Sequence, residues 1–338
     1  MRAGIYRAPD AVQVEDWPLP QLARGEVLVR VRYAGICGTD ILIGRGKHPR
    51  VVPPRVLGHE ILGAVAEANA PADVAWKPGA RVAVYPLISC GHCAPCREGA
   101  SHVCEKLGLI GIDVDGGIAE YVKAQPGQLF AVPDSVSDER AALVEPLSVA
   151  VHAVRTSGFR PGDTALVTGA GPIGNLIAQV LRASGARAIV ISEVKDFRRE
   201  LAARMGFRVV NPAREPLRES LASVAGGPFV DRVYEASGGG SAYRDAVQAC
   251  RVRGEITLVG LPKAPPEVDV LSLVFKEIRT AGARVYERRD YQVAIALLER
   301  GAVDVEPLIT DQLPLEDVER GFRKMQEAET SLKILFAP

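Results

Sequence analysis

The 338-residue chain balances 41 basic against 41 acidic side chains, is 47% hydrophobic and 24% charged, and is long enough for two domains with their own cores. Zero net charge argues against a nucleic-acid partner, because such binders concentrate Lys and Arg on one face. No apolar run approaches the roughly 18 residues of a membrane span, and Met1–Tyr6 lacks the apolar core of a signal peptide, so no membrane partner and a cytoplasmic location are expected.

Residues 1 to about 130 read as short strands between turns. In Glu26–Arg32, Val27, Val29 and Val31 share one face and Leu28 alone breaks the alternation, the pattern of a half-buried strand. Similar runs at Ile61–Val65, Arg81–Tyr85 and Ile118–Val122 imply an irregular, barrel-like β domain. Four of the six cysteines interrupt it: Cys90, Cys93, Cys96 and Cys104. The spacing Cys-x2-Cys-x2-Cys-x7-Cys gathers four soft thiolates around one ion, as in a closed structural zinc site. In a reducing compartment such clusters are metal ligands more often than disulfides.

From about residue 150 apolar runs alternate with helical patterns: Thr164–Thr168, Ala188–Ser192, Arg208–Val210, Asp231–Tyr234, Glu255–Val259 and Ile278–Gly282. This rhythm predicts a doubly wound parallel sheet. Its first βα turn reads Gly169-Ala170-Gly171-Pro172-Ile173-Gly174, directly after a strand and opening a helix to about Ser184. The first glycine permits the tight turn, the second lets a pyrophosphate approach the backbone, and the third lets helix and strand pack. Glu193 follows at the end of the next strand, where a carboxylate accepts hydrogen bonds from adenosine ribose hydroxyls and favours NAD over NADP. Arg198 and Arg199, just beyond, would tolerate a phosphate and complicate that preference. A helix at Tyr291–Arg300, another at Leu315–Ala328 and a strand at Ser331–Phe336 close the chain, and this tail is expected to return to the first domain. Cys250 reads as a buried apolar residue.

Back in the first domain, Cys37-Gly38-Thr39-Asp40 follows a strand and Gly58-His59-Glu60 follows an apolar pair. With Glu145-Pro146 they supply Cys, His and carboxylate, the mixture of a catalytic zinc that keeps one position open. His59 and Glu60 can share one metal only if the backbone turns there, because neighbours on a regular strand point to opposite faces.

These motifs together resemble the zinc-dependent medium-chain dehydrogenases, in particular the branch of sorbitol, threonine and butanediol dehydrogenases. The resemblance implies an α/β protein: a GroES-like β-barrel catalytic domain over 1–150 and 288–338, and a Rossmann cofactor domain over 151–287. It implies NAD and two zinc ions per chain, one structural on Cys90, Cys93, Cys96 and Cys104 and one catalytic on Cys37 and His59. Glu60 and Glu145 would join the catalytic ion directly, through water, or in exchange with substrate. Asp40 would fix the His59 tautomer and Thr39 would hydrogen-bond the substrate oxygen. Val259, Gly260 and Leu261 would border the nicotinamide, with Pro172 and Ile173 toward the pyrophosphate. A homodimer or homotetramer is implied, through the strand around Ile278–Val285.

The expected reaction is hydride transfer from a secondary alcohol of a polyol, sugar or cyclitol to NAD. Alternatives are a short-chain diol or threonine-type 3-hydroxy amino acid and, from another class, a non-catalytic dinucleotide-binding protein on the same fold. Leu42 stands where several relatives in that branch place a relay histidine, which speaks against threonine. The basic loop Arg45–Arg50, with Arg55, would hold a phosphate or carboxylate if it lines the cleft and is otherwise a solvated face.

Overall fold

A computed structural model of the chain describes residues 1–69, 76–327 and 329–338. They form two units: Met1–Glu145 with Glu287–Gly301 and Leu308–Pro338, and Pro146–Tyr286 with Ala302–Pro307.

The first unit opens with the antiparallel pair β1 (Arg2–Ala8) and β2 (Ala11–Asp16), followed by β3 (Val27–Gly35), α1 (Gly38–Gly44), β4 (Arg55–Val56), β5 (Glu60–Ala68) and β6 (Arg81–Val84). The cysteine loop lies between β7 (Leu87–Ile88) and β8 (Gly108–Leu109) and carries the single turn α2 (Ala94–Arg97). Then come β9 (Tyr121–Ala124), β10 (Leu129–Ala131) and α3 (Asp138–Ala141); α4 (Val144–Thr156) begins in this unit, with Glu145 in its first turn, and belongs to the second from Pro146 onward.

In the second unit strands and helices alternate: β11 (Thr164–Thr168), α5 (Pro172–Ala183), β12 (Ala188–Ser192), α6 (Asp196–Arg204), β13 (Arg208–Val210), α7 (Leu217–Ala225), β14 (Val230–Glu235), α8 (Gly240–Ala249), β15 (Cys250–Leu258), α9 (Val270–Phe275) and β16 (Arg279–Gly282). They build a parallel sheet in the order β13-β12-β11-β14-β15-β16. All five residues of β11 are buried, which is why its centre, Ala165–Val167, is continuously apolar rather than alternating. Leu166, Val190, Val233, Ile256 and Cys250 pack with helix residues Leu221, Ala246 and Val247 in one core.

The tail contributes α10 (Arg288–Glu299), β17 (Ile309–Pro314), α11 (Val318–Glu327) and β18 (Lys333–Ala337) to the first unit. β10, β6, β5, β3, β18 and β17 are neighbours in that order. β3 pairs with β5 along one edge, and its other edge is shared by β9 at Val27–Arg30 and β18 at Ala34–Gly35. A register shift between Leu28 and Val29 explains the broken alternation, since it lets Leu28 be buried beside Val27 and Val29.

Several boundaries differ from the sequence expectation. Only Tyr121 and Val122 of the run Ile118–Val122 join a strand; Ile118 donates to the Leu57 carbonyl and Ala119 bridges Ala3. β15 starts at Cys250, five residues early, across a register shift opposite β14. Residues 302–307 pack in the second unit because the Gln179 amide exchanges two hydrogen bonds with the Asp304 backbone, at 2.8 and 2.6 Å. Ala328, the end of an expected helix, lies outside the described residues.

Candidate active site and dinucleotide crevice

In the first unit α1 sets the position of Cys37. Cys37 is its N-cap, and Asp40 at the third helical position reaches back to accept from the Cys37 amide at 2.8 Å. Asp40 Oδ1 also accepts from the Gly58 amide at 3.4 Å, so one buried carboxylate holds both motif backbones. Gly58 has φ +93, a left-handed conformation that a side chain would strain, and β5 starts only at Glu60. The required turn therefore falls at 58–59. It lets the Cys37 Sγ, a His59 ring nitrogen and a Glu60 oxygen lie within 4.8 Å of one another.

Glu60 is buried, and both its oxygens accept from Lys333 Nζ, at 2.6 and 2.7 Å; the same ammonium donates to the Ile36 carbonyl at 3.0 Å. Glu60 pairs opposite Gly35, and a side chain at 35 would collide with its carboxylate. Burial opposes the charge on His59, yet Asp40, Cys37 and Glu145 outweigh it and raise the imidazole well above its usual pKa. Lys333 is likewise raised against burial by Glu60, Cys37 and Glu145. A buried pocket that stabilises positive charge and presents Cys, His and carboxylate donors together fits a divalent cation.

The other expected residues sit around this set. Thr39 Oγ1 lies 3.7 Å from the Cys37 thiol. Glu145, nearly buried, stands outside the 4.8 Å group while acting on His59 and Lys333. Asp40 Oδ1 is 3.8 Å from His59 Nδ1, beyond a hydrogen bond, so in this conformation it anchors backbone rather than the imidazole ring. Within the basic loop Arg50 is held by the Leu107 carbonyl at 2.6 Å and by Asp113 at 3.4 Å, and Arg55 by Asp115 at 3.3 Å. Two of the basic side chains are thus already engaged by intramolecular partners.

Cys90, Cys93, Cys96 and Cys104 also have ligand atoms within 4.8 Å of one another. Cys104 Sγ accepts from the Cys90 and Lys106 amides, both at 3.3 Å. Backbone N–H groups of His92 and Cys93 lower the Cys90 thiol to about 6, whereas desolvation pushes Cys96 up to about 12. Part of the set is poised as thiolate, the form that binds metal.

In the second unit the sheet reverses order between β11 and β14, and the crevice at their carboxyl ends is where such sheets take ligands. Gly169 has φ +93, Gly171 caps α5, and Pro172 occupies its first turn. A side chain at Gly174 would strike the Gly169 carbonyl, so the third glycine is required by close packing. Glu193 accepts from the Ala170 amide at 2.9 Å on one oxygen and from Val194 and Lys195 at 2.8 and 2.9 Å on the other. An Arg198 nitrogen lies 3.8 Å from where a side chain on Gly171 would begin. Val259 and Gly260 follow β15 and donate to the Glu235 carbonyl, and Leu261 is fully exposed.

Comparison with known proteins agrees with both units. Residues 23–134 match the alcohol dehydrogenase GroES-like domain and residues 172–300 the zinc-binding dehydrogenase domain. A 2-dehydro-3-deoxy-L-galactonate 5-dehydrogenase of Pseudoalteromonas atlantica is 38% identical, covering 92% of this chain and 91% of that protein. The chain belongs to the zinc-dependent medium-chain alcohol dehydrogenases. Within this family an L-threonine 3-dehydrogenase of Anaeromyxobacter dehalogenans is 34% identical, covering 95% of this chain and 93% of that protein. A structure described as a short chain alcohol dehydrogenase of Escherichia coli, complexed with NADH, superposes with a TM-score of 0.92 at 31% identity, covering 100% of this chain and 99% of that one. The first unit is accordingly the GroES-like domain and the second the Rossmann domain.

Sequence reasoning overlooked Lys333. A lysine between apolar residues of a closing strand gives no sign of its partner, which lies 273 positions away.

Proposed function

We propose that this zinc-dependent dehydrogenase oxidises a secondary alcohol of a polyol, sugar or sugar acid to the ketone with NAD as acceptor. The single observation that carries the reading is the buried Cys37–His59–Glu60 donor set with the Thr39 hydroxyl beside it. When bound there, zinc supplies the Lewis acidity that makes an alcohol acidic, and NAD supplies the hydride acceptor. Cys37 and His59 hold the ion, with Glu60 and Glu145 as its carboxylates, while Cys90, Cys93, Cys96 and Cys104 hold a second, structural ion. Thr39 receives the alcohol hydrogen bond and passes its proton outward. Asp40 keeps the two ligand-bearing segments together.

Glu193 supports NAD over NADP. Three backbone donors use part of its acceptor capacity, and what remains suits ribose hydroxyls while repelling a phosphate. Arg198 lies on the same side, toward the adenosine phosphates. Val259, Gly260 and Leu261 border the nicotinamide. The polyol and sugar-acid reading leans on the sugar-acid dehydrogenase to which the chain is similar, and Leu42 weighs against threonine. We place the enzyme in the cytoplasm, where its six cysteines stay reduced. Among the described residues no helix is long and apolar enough to cross a membrane. Self-association into a homodimer or homotetramer is proposed through the edge of the Rossmann sheet.

A panel of polyols, inositols, aldonates, sugar phosphates and amino alcohols, assayed with NAD and NADP by reduced-cofactor absorbance, tests the reading. The expected result is oxidation of a polyol or aldonate with NAD preferred. Exclusive activity on an amino alcohol, or preference for NADP, would reject the substrate or cofactor assignment respectively.

A further inference from the structure

Glu235 ends β14 wholly buried. Its Oε1 accepts four hydrogen bonds: from Thr168 Oγ1 at 3.2 Å, the Ser237 amide at 2.9 Å, Ser237 Oγ at 2.6 Å and the Gly238 amide at 3.0 Å. Its backbone carbonyl accepts from the Val259 and Gly260 amides, both at 2.8 Å. One residue thus ties together the carboxyl ends of β11, β14 and β15. Among the described residues its Oε2 has no hydrogen-bond partner, and a side chain on Gly260 would start 2.6 Å from it and closer still to the Gly238 amide nitrogen. Gly260 is a glycine because the Gly238 backbone and the carboxylate together fill the space behind it. The Tyr243 hydroxyl secures the same segment by donating to the Gly260 carbonyl at 3.1 Å.

A buried carboxylate is costly unless its charge is compensated, and bonds to a charged acceptor are about twice as strong as neutral ones. Four donors converging on one oxygen make a stiff knot behind the crevice. A dinucleotide straddles the point where strand order reverses. Glu193, ending β12, marks the adenosine side and the start of α5 the pyrophosphate, so the segments after β14 and β15 face the other nucleotide.

Resting on the NAD reading, we propose that Glu235 is a positioning residue for the nicotinamide half of the cofactor. It fixes residues 237–239 and 259–261 as one preformed surface, and affinity for that half depends on the fixation. The adenosine half binds on Glu193 and the glycine turn, which Glu235 touches only through its longest bond, at Thr168, and so senses it far less.

Glu235→Gln tests this in the intact enzyme. The amide keeps one acceptor oxygen but loses the charge, so NADH titrated by fluorescence should show a Kd raised about tenfold, as expected for weakening bonds to a charged group. ADP-ribose, which lacks the nicotinamide, should bind the variant within about twofold of wild type by calorimetry. KM for NAD should rise more than kcat falls. Equal weakening of NADH and ADP-ribose, or no change in either, overturns the proposal. If the variant does not fold, Ser237→Ala, which removes the 2.6 Å bond to Glu235 together with the 3.0 Å bond that Ser237 Oγ accepts from the Gly239 amide, should show the same discrimination at smaller amplitude; equal effects on both ligands again overturn it. Failure of the wild type to bind NADH rejects the NAD reading itself.

Discussion

Lys333 and Glu60 form a fully buried ion pair beside a site that also holds Cys37 and His59. Removing one member of such a pair is far more costly than replacing both, because the survivor is left charged in a low-dielectric interior. Lys333→Met should therefore lower stability by about 3–5 kcal/mol in protein stripped of metal. With zinc restored, Glu60 can turn to the ion for its counter-charge, and part of the loss should be regained. Thermal denaturation with and without a chelator checks this; an identical loss in both would show that Glu60 does not reach the metal. The neighbouring residue-scale device is Asp40. By binding the Cys37 and Gly58 amides, it spends its acceptor capacity on the backbones that carry the ligands.

At the scale of elements, the cysteine lobe between β7 and β8 has almost no core: among the four cysteines only Cys104 is buried, and α2 has no buried residue. Its shape must come from the four sulfurs and from the amides that bind them. Cys96→Ser should reduce zinc from two ions per chain to one and open the lobe to protease, measured by elemental analysis and limited proteolysis. A wild-type content of one ion that Cys96→Ser abolishes, so that only the cysteine cluster holds zinc, would remove the catalytic-zinc assignment. The elements most legible in the sequence are those with no exposed position. β11 and β12 coincide with the runs Thr164–Thr168 and Ala188–Ser192, since strands covered on both faces need continuous apolar residues. β1, β2 and β17 mix charged with buried positions and follow no simple period, so pattern alone did not single them out. In the site, Cys37, His59, Glu60 and the four clustered cysteines were legible through residue type and spacing. Lys333 and Glu235 were not, because a buried charge is defined by what approaches it in three dimensions.

At the scale of the whole molecule, the Rossmann sheet ends on β16, all four of whose residues are exposed. Beside it in sequence α9 exposes Val270, Leu271, Val274 and Phe275 at 62, 67, 68 and 78%. An open strand edge with an apolar helix is a liability in a monomer, and in the homo-oligomer proposed above a second copy related by a two-fold axis would close it with self-complementary pairing. Leu271→Asp with Phe275→Asp should halve the mass measured by light scattering at micromolar concentration. Retention of the oligomer by this double variant would place the interface elsewhere.

The seating of β18 against β3 has a consequence for biosynthesis. The ribosome delivers the chain from its N-terminus. Cys37, His59 and Glu60 emerge early, whereas the ammonium that neutralises Glu60 follows 273 positions later. Until β18 is synthesised, the nascent site carries an uncompensated carboxylate next to a thiol and an imidazole. That is the state with the greatest appetite for a cation, so the order of synthesis favours metal capture before the last strand closes the sheet.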